Sequence, residues 1–544
     1  MKGLNGILAA NEKPVINYAV RNNPFAAEKV CLETENCLVQ FDGILLNYAK
    51  PVSASERFDL LTALYKQHGA SMTAHLKGQF DLVIWDKAAG KVLIANDLLS
   101  KRSLYYFADG QKLFYAASYY DLLDLLSTSG LSQPALNASA VRAMAMNGVL
   151  AGTETYANGI SYLDAYQAIE FDLKTGKTSI ASIAPKTRRT ASGMEQAVQV
   201  FDELFTSAVK AQFAKNAEYG YEHFIALSGG MDSRACLLKA VQCSYDRDIT
   251  CFNYSQSGSI DNTVSQQIAF DHHLDYLFYP MDDAVFISRL SQAMDANECQ
   301  QSAIGSTGAG TFARLLDKTR MGVMHVGLCG GELMGDLVEC HFSGRIQKTL
   351  GRLGLLKPAA EAYHFKTREY LDNVRACQNF ASMFLSDCET VSPFLDEDVV
   401  QFVTSLDPQL LYRRSLYREW MKKHIPNEYP TTMFCGPVSI SPVQEILRKI
   451  ADRIVRRFAG ASKRDMNPIE YWMKNHPHLA RQCQEEYQAG MEILEACGVS
   501  SETLGILREC WQVDGEHQLH TLTAIRALKD ILSRFQPSGS SPIH

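Results

Sequence analysis

At 544 residues the chain is too long for one ordinary domain, and two compact units are the expectation. With 46% hydrophobic and 21% charged residues and a net charge of −7, it can fill globular cores and lacks the basic excess of a general nucleic-acid binder. No apolar run approaches the roughly 20 residues that span a bilayer, and no signal-peptide pattern opens the chain. The expectation is a cytoplasmic protein whose partners are neither nucleic acid nor membrane.

In chain order, the part up to about Ser182 alternates short apolar runs with turns: CLVQFDGILLNYA, GQFDLVIWDKAAGKVLIANDLL, RSLYYFADGQKLFYAAS and AYQAIEFDLKTGKTSIAS. The turns AAGK, ADGQK and KTGK predict hairpins in an antiparallel sheet, and ASERFDLLTALYKQHG adds a helix, making an α+β unit. IAPKTRRTASGME reads as a linker, with a boundary near residue 188. MEQAVQVFDELFTSAVKAQFAKN is helical, and the strands HFIAL, ITCFNYS, DYLFYPM and MGVMHVGL then alternate with helical stretches, as in a parallel sheet with crossover helices. From about residue 396 the pattern is helical, and QPSGSSPIH reads as a disordered tail. The expected units are 1–187, 188–536 and a tail over 537–544. The 14 cysteines include no CxxC pair, and adjacent His272 and His273 point apart, so neither a zinc ribbon nor a histidine metal site is expected.

The chemistry sits in Ser228-Gly229-Gly230-Met231-Asp232-Ser233, between an apolar strand and a helix. Glycines there let the backbone approach a ligand, and the amides free at a helix N-terminus attract an anion. Phosphate is the expected ligand. Ser228 and Ser233 add hydroxyl donors, whereas Asp232 repels phosphate unless Mg²⁺ bridges the two.

SGGMDS resembles the pyrophosphate loop of ATP pyrophosphatases, which cleave ATP to AMP and pyrophosphate while adenylating a substrate. MKGLNGIL is similar to the MCGIAGIL opening of class B asparagine synthetases, FDGILLN to their FNGEIYN, and VIWDKAAGKVLIANDLLSKRSLYYF to ALWD…LLLARDRLGVKPLYY. GLCGGELMGD resembles SGDGADELFGGY, and SPFLDEDVVQFVTSLDPQL resembles PFLDHRLVEFALSLPPEL. The resemblance implies an α+β N-terminal Ntn-hydrolase-like αββα sandwich, then an α/β ATP-pyrophosphatase domain with a helical C-terminal extension. It also implies ATP and Mg²⁺ as cofactors. By resemblance, Ser228, Gly229, Gly230, Asp232 and Ser233 hold pyrophosphate and Mg²⁺, Leu227, Phe252 and Asn253 lie where adenosine docks, and Gly330 joins the cofactor-binding set.

The sequence departs from that family at several points. Where the family has a nucleophilic cysteine the chain has Lys2, which cannot supply a thiolate. Asp42 replaces the asparagine that helps bind the oxyanion, so a negative charge would face a developing negative charge. Asp97, at the family's glutamine-binding aspartate, is retained. In GLCGGELMGD, Gly331 takes the place of the second metal-binding aspartate and Glu332 follows it, so Glu332 is read either as a replacement Mg²⁺ ligand or as a helix N-terminal carboxylate. The lysine of RPKKGF is absent from YPTTMFCGPVS, leaving Arg234, Arg413, Arg414, Lys422 and Lys423 as candidates to neutralise leaving pyrophosphate.

The expectation is an AMP-forming amide ligase that adenylates a small-molecule or peptide carboxylate and passes it to an amine or ammonia without glutamine hydrolysis, with Asp232, Glu332 and Arg234 as its catalytic set and Asp232 and Glu332 as its metal ligands. β-Lactam synthetases and lasso peptide cyclases are relatives without the nucleophile. Two alternatives stay open: a nucleotide-binding pseudoenzyme or regulatory partner, and an ammonia-dependent asparagine synthetase. A homodimer or a pathway partner protein is compatible with either.

Overall fold

The structure is a computed structural model that describes residues 3–19, 24–185, 189–245, 248–282, 287, 289–304, 312–341, 360–381, 388–425 and 468–536. Lys2, the linker position 188, the YPTTMFCGPVS stretch and the tail over 537–544 lie outside the described residues.

The first unit is a sandwich of two antiparallel sheets. One contains β1 (Gly3–Ala9), β2 (Val15–Ala19), β7 (Tyr105–Asp109), β8 (Lys112–Ala116) and β9 (Ile160–Tyr162), in the order β2-β1-β8-β7-β9. The other contains β3 (Val30–Glu33), β4 (Cys37–Leu45), β5 (Gly78–Asp86), β6 (Lys91–Asn96), β10 (Gln167–Asp172) and β11 (Lys177–Ser182), in the order β11-β10-β6-β5-β4-β3. The AAGK, ADGQK and KTGK turns join β5 to β6, β7 to β8 and β10 to β11, as their turn chemistry predicts. Leu4, Leu8, Val83, Ile94, Tyr115 and Phe171 fill the space between the sheets. On the outer face of the second sheet lies α1 (Ala54–His68), capped where Ser53 accepts the Glu56 amide. β4 is buried on both faces for most of its length, which erases the alternation expected of a half-solvated strand. Gly43 has φ +141°, and a Cβ there would lie 2.1 Å from the Gln79 carbonyl, so only glycine allows β4 and β5 to close.

On the outer face of the first sheet lie α2 (Tyr119–Thr128) and α3 (Ala138–Asn147), and the last helices of the chain, Pro477–Ala496, Ser501–Trp511 and Gly515–Arg534, pack into the same core. The C-terminal helical extension therefore returns to cover the first unit.

The second unit is a parallel sheet of β12 (Glu222–Ala226), β13 (Ile249–Ser255), β14 (Asp275–Pro280), β15 (Met321–His325) and β18 (Glu389–Val391), in the order β14-β13-β12-β15-β18. A small antiparallel ribbon, β16 (Val338–Cys340) and β17 (Tyr363–Phe365), stands apart from it. The crossovers include α5 (Met231–Gln242) after β12 and α6 (Ile260–Asp271) after β13, and α4 (Met194–Tyr219) packs across the sheet. Trp420 is fully buried, edge-on to Phe201 at 4.9 Å and Phe205 at 5.0 Å, and anchors the Ser415–His424 helix to α4. Truncating such a residue costs about 3–5 kcal/mol.

Candidate active site

The SGGMDS loop leaves the C-terminal end of β12, the central strand, and runs directly into α5. That is the edge where parallel α/β sheets bind ligands. The loop is self-satisfied: Ser228 N–H donates to Ser233 Oγ at 3.0 Å, Gly230 N–H to Ser228 Oγ at 3.1 Å, and Gly229 N–H to Asp261 Oδ1 at 3.0 Å. An anion would have to displace the Ser233 and Ser228 hydroxyls from two of these amides, while the Gly229 amide is already held by a carboxylate. Asp261 comes from the first turn of α6 and was not singled out by sequence, although it occupies the equivalent place after the next strand.

Asp232 is the centre of the arrangement. Its Oδ2 accepts the Gly331 amide at 2.9 Å and its Oδ1 accepts the Tyr417 hydroxyl at 2.8 Å. Burial holds its carboxyl above the usual range, against the attraction of Arg414. Glu332 is raised too, first by burial and then by the charges of Asp232 and Asp336. The structure thus brings Asp232 and Glu332 into one electrostatic site. It adds Asp336, which is bonded through both carboxylate oxygens to the buried Arg414. Arg413 and Arg414 both have φ +59°, a conformation costing of order 1 kcal/mol or more per residue, and the Asp336 clamp holds the Arg414 side chain in place.

Glycine spacing sets how close these elements come. A Cβ at Gly327 would lie 2.3 Å from the Ser233 amide nitrogen, and one at Gly330 would lie 2.5 Å from Asp232 Cγ. A Cβ at Gly331 would lie 2.7 Å from both Asp336 Oδ2 and Arg414 Nη2. A side chain at position 331 would have to displace the Asp336 carboxylate and the Arg414 guanidinium, which lie where its Cβ would go.

The remaining candidates are placed differently. Arg234 is fully buried beneath the loop, where it donates to the Gly229 carbonyl at 3.1 Å and braces the backbone from below. Leu227 and Phe252 are buried, Phe252 stacked on Phe312 at 4.8 Å, so their side chains serve the core, and the Leu227 amide bonds the Phe252 carbonyl at 2.9 Å. Asn253 is buried and ties the strand ends by donating to the Leu227 carbonyl at 2.7 Å. Lys422 is exposed beside Glu419, and Lys423 is exposed. Among the described residues no group of three or more His, Cys, Asp and Glu is arranged as a ready-made metal cage, and His273 merely follows the α6 C-terminus with φ +56°.

The pocket around Asp42 is built in the opposite sense. Asp42 is fully buried and ion-paired to Lys29 at 3.2 Å and to Arg102 at 3.0 Å. Arg102 also reaches Asp81 at 3.5 Å and Glu389 on β18 of the second unit. Burial lowers the Lys29 ammonium, with Asp42 opposing that shift. Asp97 accepts the backbone amides of Leu99, Lys101 and Arg102, a turn-building role. Lys101 crosses to Glu397 at 2.6 Å. Asp42 is thus one member of a charge cluster joining the two units.

Residues 47–181 match the Glutamine amidotransferase domain family. The chain is 23% identical over 262 residues to "Asparagine synthetase [glutamine-hydrolyzing] 2" of Bacillus subtilis, an overlap covering 44% of this chain and 34% of that protein. It is 35% identical over 65 residues to Amidase chry2 of Gibberella zeae, covering 12% of this chain and 10% of that one. The chain thus spans about a third or less of the length of the curated relatives it matches. Among solved structures, the glutamine phosphoribosylpyrophosphate amidotransferase of B. subtilis overlaps 51% of this chain and 59% of its own at 10% identity with a TM-score of 0.21, too low to carry an argument. The chain is therefore similar over part of its length to an asparagine synthetase, and residues 47–181 of its first unit match an amidotransferase domain.

Proposed function

We propose that this protein is an ATP-dependent, AMP-forming amide ligase that adenylates a carboxylate and passes it to an amine or ammonia. The observation that carries this reading is the convergence of the SGGMDS loop with Asp232 and Glu332 at the C-terminal edge of a parallel sheet.

The residues present fit Mg²⁺ and nucleotide. Asp232 and Glu332 are carboxylates whose ionised forms are disfavoured by burial and by each other, and a divalent cation reverses that penalty. Bound there, Mg²⁺ supplies charge neutralisation for pyrophosphate. Asp232 and Glu332 hold the metal, Ser228, Gly229, Gly230 and Ser233 bind phosphate oxygens, and the Gly331 amide and Tyr417 hydroxyl keep Asp232 aimed. The backbone beside Leu227, Phe252 and Asn253 borders the nucleotide's other end, and Gly330 lets the second loop lie against Asp232. Arg234 fixes the loop from beneath. Arg414, buried, paired with Asp336 and acting by its charge on both Asp232 and Glu332, takes the charge-balancing role that YPTTMFCGPVS lacks the lysine to fill.

Two features support a nitrogen source other than hydrolysed glutamine: Lys2 in the sequence, and Asp42 locked to Lys29 and Arg102. The test is release of AMP and pyrophosphate from Mg·ATP with candidate carboxylates, beginning with aspartate plus ammonium. AMP with asparagine identifies an ammonia-dependent asparagine synthetase, AMP without asparagine places the carboxylate elsewhere, and Mg·ATP binding without AMP across the panel favours the pseudoenzyme alternative.

A further inference from the structure

Cys329 and Cys377 come from different elements and meet beside the candidate active site. Cys329 lies in the GLCGGE segment, and Cys377 lies on the Thr367–Ala381 helix. Their sulfurs are 3.2 Å apart, with the Cys329 thiol donating to Cys377 Sγ. A disulfide needs about 2.05 Å between sulfurs, so the two would have to close by roughly 1 Å. Cys329 is buried and Cys377 is half-buried, so only one of the two is open to a reagent.

The backbone around Cys329 makes the pair consequential. Cys329 sits at φ +61°, its carbonyl accepts the Leu333 amide at 3.1 Å, and two residues later the Gly331 amide holds Asp232. The helix bearing Cys377 is anchored to the first unit, where Arg375 donates to the Gly152 carbonyl at 2.8 Å and Asp372 accepts the Gly152 amide at 3.0 Å. A covalent link between the two sulfurs would join the segment that aims Asp232 and carries Glu332 to a helix fixed on the other unit.

We propose that Cys329 and Cys377 form a reversible disulfide that pins the 327–332 segment and so sets the metal site in one position. With a small-molecule disulfide such as oxidised glutathione, the Cys377 thiolate attacks one sulfur and releases one glutathione thiolate. Cys329 then attacks the mixed disulfide and releases the second. Two protein thiols are oxidised to one disulfide, and one glutathione disulfide is reduced to two glutathione thiols, the two thiol protons passing to the products. The effect on nucleotide binding rests on the proposed function; the bond and its effect on the loop do not.

The full chain is equilibrated in glutathione redox buffer, trapped with N-ethylmaleimide, digested and analysed by mass spectrometry, with amide hydrogen exchange followed over residues 327–336. The expected result is a linked Cys329–Cys377 peptide that dithiothreitol reverses, slower exchange in that segment, and loss of both effects in Cys377→Ser. Recovery of Cys377 as a stable glutathione adduct, or of both cysteines as alkylated thiols, overturns the proposal, as does a linked peptide with unchanged exchange. A linked peptide with slowed exchange in a protein that binds Mg·ATP in neither state upholds the disulfide and removes the nucleotide reading instead.

Discussion

Two clusters of carboxylates lie in this molecule, one fully buried and one at the edge of the parallel sheet, and they are solved in opposite ways. Around Asp42, Asp81 and Glu389 the protein brings Lys29 and Arg102, so that each acid is paired with a cation of the chain itself. Around Asp232, Glu332 and Asp336 it brings Arg414, which is engaged with Asp336, and both Asp232 and Glu332 resist ionisation. The first arrangement pairs every acid within the chain and joins the two units. The second is short of positive charge where a strand, a glycine loop and a helix N-terminus meet, which is the electrostatic condition for binding a cation with a nucleotide.

Four experiments can break or sharpen this contrast. The largest effect is expected from Asp232→Asn, which should reduce Mg·ATP affinity by at least the ~100-fold that losing even an outer-shell partner can cost, without lowering thermal stability. Undiminished Mg·ATP affinity by calorimetry would show that the loop is not the nucleotide site. Next, Arg102→Met removes the guanidinium that Asp42, Asp81 and Glu389 share and should cost about 3–5 kcal/mol in denaturant unfolding. Pairing it with Glu389→Gln should recover part of that loss, and an unchanged midpoint for Arg102→Met would refute the role given to the cluster.

A smaller effect concerns Asp336, which fills the space that a side chain at position 331 would need. Asp336→Gly should weaken Mg²⁺ binding about tenfold, and the exchange Gly331→Asp with Asp336→Gly should restore part of it. No difference between the single and double variants would sink the idea that one carboxylate has replaced the other.

The smallest effect is in pH. The raised carboxyls of Asp232 and Glu332 contribute stability that is present below the ordinary carboxylate range and lost as pH rises through their raised folded values. Buried His223 and His520, each lowered to about 4, do the reverse: their contribution is present above the ordinary 6.5 and lost as pH falls toward about 4. Mg²⁺ relieves only the carboxyl penalty, so the Mg²⁺-induced rise in Tm should be larger at about pH 8 than at about pH 5.5. Equal shifts at both pH values would contradict the claim.

Much of this was legible in the sequence because it is local. Hairpin turns, the β12–loop–α5 unit and the helix following Gly193 are written in neighbouring residues, and SGGMDS announces its own strand-loop-helix context. What was not legible depends on distant residues meeting. Tyr417 reaches Asp232 across 185 positions, Asp261 reaches the loop amide from the next crossover, and Asp336 lies against Gly331 through a turn that no motif encodes. Arg234 misleads for a related reason: adjacency to the loop suggests a ligand contact, yet the helical repeat carries its side chain underneath. The return of the final helices onto the first sheet was equally hidden, since their apolar stripes do not name the surface they cover.

The central claim is most directly tested by calorimetric titration of Mg·ATP into the wild-type chain and into Asp232→Asn, each with Mg²⁺ and with EDTA. The account predicts Mg²⁺-dependent binding in the wild type that Asp232→Asn loses while its fold persists. Equal binding by the two proteins, or wild-type binding indifferent to EDTA, would contradict it.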